Sequence, residues 1–443
     1  MDAHIIQKNG VRILCVAEVR GHLSLLNELA REYSADIVVH TGSFGFFDDG
    51  SIGKIHESYL RHIVAFSPLL ADNLIDKTSG LSRANGEFVD HDVDALRKIL
   101  HGCQISELME FVNGEKRLDV PVYTIYGMVE DSTVLNKFRL GLYSIPNLFI
   151  LDENTTHTVK LDDDMDLFLC GIGGSLSYQK LFHHGTFDNE LNSYISPDQM
   201  ATFSPVAGDP GNVWMTMLQI GQFIKTVEQN AKGNNIKIML SHPAPSREGL
   251  LSHLSVFLKM DYTVSNGLHF LYPSSFNELS ICPNFEFYKL KFSEARNQLS
   301  SIWVNVQSTI ENIVMNEPKL QDLLSIALNC FDRIPVINTT KENDIIPLAL
   351  SFNKRDVNSN TIRLQTDQYY LSFQNQWHFN LCDVSVGSMV LNFDDGRMKM
   401  ETNAMGFDFT YKKQGTGLRE RKNNGTRRPY GGKPRGGRGN RRN

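Results

Sequence analysis

Five short segments hold the side chains of this chain that could do chemistry. Val16-Ala17-Glu18-Val19-Arg20-Gly21-His22 follows the apolar run Ile13-Leu14-Cys15, and His40-Thr41-Gly42-Ser43 follows Ile37-Val38-Val39. Tyr126-Gly127-Met128-Val129-Glu130-Asp131 follows a run from Val120 to Ile125. Ser241-His242-Pro243 follows Ile238-Met239-Leu240, and Ser265-Asn266-Gly267-Leu268-His269 follows Tyr262-Thr263-Val264. One carboxylate, Glu18, and two imidazoles, His242 and His269, could ligate a single Zn, Mn or Fe ion, since three protein ligands suffice in some catalytic sites. Arg20 opposes this, because a guanidinium has only donors and a permanent charge. Ser43 is a neutral, weak bridging group, Met128 is a soft thioether, and Val129 has no proton to give.

Each of these residues also has a structural reading. Glu18 can pair with Arg20 or Arg12, while His242 and His269 can be hydrogen-bonded framework histidines. If a pocket persists, Arg20, His242, His269 and the amides near Gly21 and Gly127 could bind a phosphate without metal. The glycine run Cys170-Gly171-Ile172-Gly173-Gly174-Ser175 would add backbone on the same side, although it lacks the lysine of a P-loop.

In order and spacing, the five segments resemble the loops of the calcineurin-like metallophosphoesterase superfamily over about residues 11 to 275. The family's motifs run DxHG, GD, GNH(D/E), a lone His and GHxH. Against them Glu18 stands for the first Asp ligand, Arg20 for the His, and Ser43 for the bridging Asp. Met128 replaces the Asn ligand and Val129 the general-acid His, while His242 and His269 are retained. The resemblance implies a layered β-sandwich flanked by helices, with two divalent metals that activate hydroxide in intact members. With these replacements it implies a degenerate member of fungal type, with no catalytic residue and no cofactor. Such folds are kept as scaffolds elsewhere in the superfamily, a retromer subunit among them.

The elements that would position the loops alternate. Strand-like runs at Ile13–Val16, Ile37–His40, Val120–Tyr126, Asn147–Leu151, Asp166–Cys170 and Ile236–Leu240 are separated by helical patterns. These cover His22–Glu32, Ile52–Phe66, Ala95–Glu110 and Ser132–Leu140. Alternation of this kind predicts a layered α/β domain with its site at the carboxyl ends of the strands. Residues 175–213 read as an inserted loop region, 71–90 as irregular, and the acidic block Leu161–Asp166 as a solvated turn. From Asn284 a second, α+β unit is expected, to residue 411. It would hold helices at Glu294–Met315 and Leu320–Phe331 and strands around Tyr369-Leu371-Phe373 and Trp377-Phe379-Leu381. A hairpin would turn at Asp394-Asp395-Gly396. At 443 residues two folded domains are expected, here 1–283 and 284–411.

The remainder, 412–443, differs in kind. It holds twelve Lys and Arg against Glu420, so it carries about +11; the formal charge of −6 then leaves about −17 on residues 1–411. Arg427, Arg428, Tyr430, Arg435, Arg438, Arg441 and Arg442 lie among glycines and resemble an RGG-type segment. Too few apolar residues remain to offset ordering entropy, so a disordered tail is expected. The resemblance implies RNA as partner, with phosphates neutralised by Arg and bases stacked on Tyr430 and guanidinium planes. A one-metal phosphoesterase acting on a phosphodiester or nucleic-acid substrate, and a pure protein-interaction module with an incidental tail, are the other expectations, together with protein partners for the body. Six cysteines without a CxxC pair, no signal-like N-terminus and no 20-residue apolar run point to an intracellular, cytoplasmic or nuclear protein without a membrane span.

Overall fold

The computed structural model describes residues 10–71, 93–161, 165–196, 203–267, 270–335 and 366–409, with 83–84, 87–88, 348 and 350. His269 and the arginines of the tail lie outside the described residues. So do Asp162 to Asp164 of the acidic block and most of 71–90.

Two six-stranded mixed sheets form the centre. The first contains β1 (Val11–Val16), β2 (Ile37–His40), β3 (Val122–Thr124) and β4 (Leu148–Ile150), all parallel. The second contains β5 (Thr156–Lys160), β6 (Asp166–Ile172), β7 (Ile236–Ser241) and β8 (Tyr262–Asn266). There β6, β7 and β8 are parallel and β5 is an antiparallel edge. Strands β1, β2 and β3 are almost wholly buried, as parallel strands covered on both faces should be. Their side chains alternate between two cores. Ile13, Cys15, Val39 and Tyr123 face Leu167, Leu169, Ile238 and Val264 of the other sheet. Leu14, Val16, Val38 and Val122 face α1 (Ser24–Glu32), through Leu26 and Ala30, and α3 (Ser132–Arg139), through Val134 and Leu135. Helix α2 (Glu57–Phe66) packs in a smaller cluster nearby through Leu60, Ile63 and Val64.

Outside the second sheet lie α4 (Met217–Asn230), started by a Thr216–Gln219 capping box, and α5 (Gly249–Phe257). Two further helices complete that layer: α6 (Phe285–Val314), capped by Asn284, and α7 (Pro318–Asp332), with Pro318 in its first turn. At Gly221 a methyl group would come 2.0 Å from the Leu323 carbonyl, so the α4–α7 crossing requires glycine.

The chain beyond β8 completes both sheets. β9 (Ser274–Asn277) and β10 (Trp377–Leu381) extend the second sheet, with β10 parallel to β8. β11 (Gly387–Asp394) and β12 (Arg397–Ala404) extend the first, with β11 antiparallel to β1. Tyr288, Phe292, Leu299 and Trp303 share one core with Phe168, Cys170, Ile220 and Leu254. The expected boundary at 284 therefore runs through two shared sheets and one shared core.

Tyr369, Leu371 and Phe373 lie in a helix, α8 (Thr366–Asn375), not in the strand expected from their alternation. Tyr369 and Phe373 are four residues apart and both buried, while Leu371 is 58% exposed. An i, i+4 pair satisfies a period of two as well as one of 3.6. Among the described residues no helix is long and apolar enough to cross a membrane.

A fragment ending at residue 283 would lack α6, α7, α8, β10, β11 and β12, and with them the strand partners of β1 and β8 and the helical cover of α5. It is expected to show no near-ultraviolet circular dichroism signature and no cooperative thermal transition. A soluble, cooperatively melting 1–283 fragment would contradict this.

Candidate functional site

The loops leaving β1, β2, β3, β7 and β8 meet at one end of the paired sheets, as the sequence predicts. The first two are zipped together by backbone: the N–H groups of Glu18, Arg20 and Gly21 donate to the carbonyls of Gly42, Ser43 and Phe44 at 3.3, 2.8 and 2.8 Å. The third and fourth loops press in from the other side. A methyl on Gly42 would lie 2.8 Å from both His242 Nδ1 and Gly127 Cα, and one on Gly127 would lie 2.3 Å from the Ser43 nitrogen. Glu18, Arg20 and Ser43 adopt left-handed backbone (φ 64°, 46° and 56°), a conformation that costs a side-chain-bearing residue roughly 1–2 kcal/mol. Strain gathered at strand ends is a mark of a built site.

At the centre sits an ion-pair network. The Arg20 guanidinium lies 2.8 Å from Glu18 Oε2 and 2.5 Å from Asp383 Oδ2. The second Glu18 oxygen accepts a hydrogen bond from Asn266 Nδ2. The Glu18 side chain is 4% exposed, that of Arg20 20%. Phe66 of α2 lies beneath the guanidinium, 5.5 Å from ring centroid to carbon. Burial acts against charge on Arg20, but Glu18 and Asp383 outweigh it and raise its pKa. Of the two pairings open to Glu18 in the sequence, the structure contains the one with Arg20.

The histidines behind this network are framework groups. His40 is fully buried; its Nδ1 lies 2.9 Å from Thr124 Oγ1 and accepts from the Gly42 N–H at 3.3 Å. Burial, aided by the neighbouring His242, lowers its pKa to about 3, so it is uncharged at neutral pH. His242 Nδ1 donates to the Thr41 carbonyl at 3.2 Å. His62 on α2, near Glu18 and Arg20, also has a lowered pKa, first through burial.

The amides that could have cradled a phosphate are engaged as well. The buried carboxylate of Glu130 accepts from the N–H groups of Phe44 (2.7 Å), Gly45 (3.2 Å), Phe46 (2.8 Å) and Gly127 (3.4 Å). Burial raises its pKa to about 7 against the pull of those four donors. Gly21 N–H is used by Phe44. Met128 and Val129 extend the cluster of Phe47, Ile55, Leu60 and Ile105, so these two residues of the third loop serve packing.

Thus Glu18, Arg20, Ser43 and His242 come together; Met128 and Val129 stand in the adjoining loop and turn into apolar packing. Among the described residues no group of three His, Cys, Asp or Glu is arranged to hold a metal. Sequence reasoning missed Asn266 as a partner of Glu18, the Glu130 cradle, and Asp383. The first two sit inside the loops read from the sequence. Asp383 had no local signal, because it reaches the site only through the parallel pairing of β10 with β8.

A family model described as a protein of unknown function (DUF2433) matches residues 272–412. That is about a third of the chain, and it contains β9 to β12, α6 to α8 and Asp383. No curated protein matches the chain.

Two outcomes follow from this geometry. Arg20→Gln leaves a buried Glu18 carboxylate without its cation and should lower stability by about 3 kcal/mol. The double variant Glu18→Gln/Arg20→Gln should recover part of that loss, and urea unfolding curves measure both. His40 carries a depressed folded pKa, so its contribution is present above about pH 6.5 and is lost as pH falls towards 3. The stability advantage of the wild type over His40→Asn should therefore shrink by about 3 kcal/mol between pH 7 and pH 4, as read by chemical denaturation at each pH.

Proposed function

We propose that this protein is a catalytically silent relative of the calcineurin-like metallophosphoesterases, with their β-sandwich, that binds RNA through its Arg/Gly tail and presents its folded body to protein partners. One observation carries the first half. The residue at the family's second ligand position is a guanidinium bound by its own neighbours, Glu18 and Asp383. Both oxygens of Glu18 are engaged, one by Arg20 and one by Asn266. The bridging carboxylate is a neutral serine, and the position of the proton donor is a buried valine. This donor set fits two divalent cations poorly: a fixed positive charge stands within salt-bridge distance of the only carboxylate in the first loop. The set is closer to an internally paired remnant that holds the loops together than to an open ligand shell.

The second half rests on composition. Residues 427–443 contain Arg427, Arg428, Lys433, Arg435, Arg438, Arg441 and Arg442 and no acidic residue. Attached to a body of about −17, such a segment is where a polyanion would be gripped. Arginine, glycine and Tyr430 together favour unpaired bases over a purely ionic role. Cytoplasmic or nuclear residence is part of the same proposal.

Deleting residues 427–443 should weaken binding to single-stranded RNA strongly at moderate salt. Seven cations predict that the slope of log Kobs against log salt becomes shallower by up to about 5. Filter binding across a salt series measures both quantities. Unchanged affinity and slope would overturn the proposal.

A further inference from the structure

Tyr272, Phe407 and Phe409 make an exposed aromatic rim beside the Asp383 loop. The rings of Tyr272 and Phe407 are 5.5 Å apart between centroids, and those of Phe407 and Phe409 are 6.4 Å apart. Their exposures are 44%, 57% and 59%. Backbone pairing places them there. Ala404, the last residue of β12, pairs with Gly387, and Met405 N–H donates to the Val386 carbonyl at 2.8 Å. Val384 in turn donates to Ala17, in the loop of Glu18 and Arg20. Gly406 turns the chain in left-handed backbone, and a methyl there would lie 3.3 Å from the Tyr272 hydroxyl. Tyr272 arrives from the loop after β8, whose Gly267 N–H donates to Leu381. In the same loop the Phe270 ring lies under the guanidinium of Arg247, which comes from the loop after β7, at 5.3 Å.

The rim thus stands at the same end of the sheets as the Arg20 network, and the chain departs through it. Phe407, Phe409 and Tyr411 alternate along the sequence, Lys412 and Lys413 come next, and the Arg/Gly tail follows. Aromatic faces on an acidic body have little to offer a phosphate, but they offer a stacking surface to a base. The +11 segment that starts at the rim would bring a polyanion to it.

We propose that this rim is the folded half of a single-stranded RNA site: unpaired bases stack on Tyr272, Phe407 and Phe409 while the tail's cations hold the phosphates. This rests on the RNA-binding reading above and deepens it by naming a base-stacking surface outside the tail. Stacking tolerates any base, so the site would select unpaired RNA over duplex rather than a particular sequence.

Fluorescence anisotropy of a labelled 20-nucleotide oligouridine with the full chain tests it. Phe407→Ala/Phe409→Ala should weaken binding about tenfold with the salt slope unchanged, because no cation is lost. Tyr272→Ala, on a separate segment, should weaken it as well, and Phe407→Trp/Phe409→Trp should retain it. Wild-type affinity in either alanine variant overturns the proposal while leaving tail-mediated binding intact. Tighter binding in those variants also overturns it, since the rim would then be covering the protein's own tail or serving a protein partner. An intact chain that binds no RNA overturns both this inference and the reading on which it rests.

Discussion

One guanidinium organises the loop end of this protein. Arg20 joins a loop from the first sheet to Asp383, which reaches it from the second sheet more than 360 residues later in the chain. It does so in left-handed backbone, with an aromatic ring beneath it and a buried carboxylate beside it. A buried carboxylate is costly unless it is paired and hydrogen-bonded, and Glu18 is both. The buried charge of Glu18 is therefore compensated from within. The site's amides are treated likewise: the Glu130 carboxyl supplies acceptor oxygens to four backbone donors that would otherwise face an incoming anion.

The rest of the architecture serves this convergence. Parallel strands put all their loops at one end, and both sheets point that end the same way, so loops far apart in sequence are forced together. The chain after residue 284 is required for the same reason. It supplies a parallel strand to one sheet, an antiparallel hairpin to the other, and a helical cover for the apolar face of β6 and β7. The segment matched by the DUF2433 model thus shares both sheets and a core with the chain ahead of it.

Much of the first sheet was legible in the sequence, because buried parallel strands read as short apolar runs and their loops follow immediately. Ile37–His40 is an example whose bounds match the structure. The five loops were legible for the same reason, as was the Glu18–Arg20 pairing, which needs only residues two apart. What was not legible came from distance. Asp383 follows a strand that alternates like any solvent-facing one, and nothing local says that it lies beside Tyr262–Asn266. Composition turns helical near Asn284, yet helix composition does not reveal which sheet a helix covers. Residues 369–373 misled because a buried i, i+4 pair also fits a strand period. The tail's chemistry was legible as composition alone.

A loop cluster whose own arginine sits between Glu18 and Asp383 should not recruit divalent cations. Calorimetric titration of chelator-stripped protein with Mn2+ and Zn2+, paired with elemental analysis of the protein as purified, tests this directly. The account predicts no saturable binding at micromolar metal and no stoichiometric ion. One or two equivalents bound, and lost on His242→Ala, would contradict it.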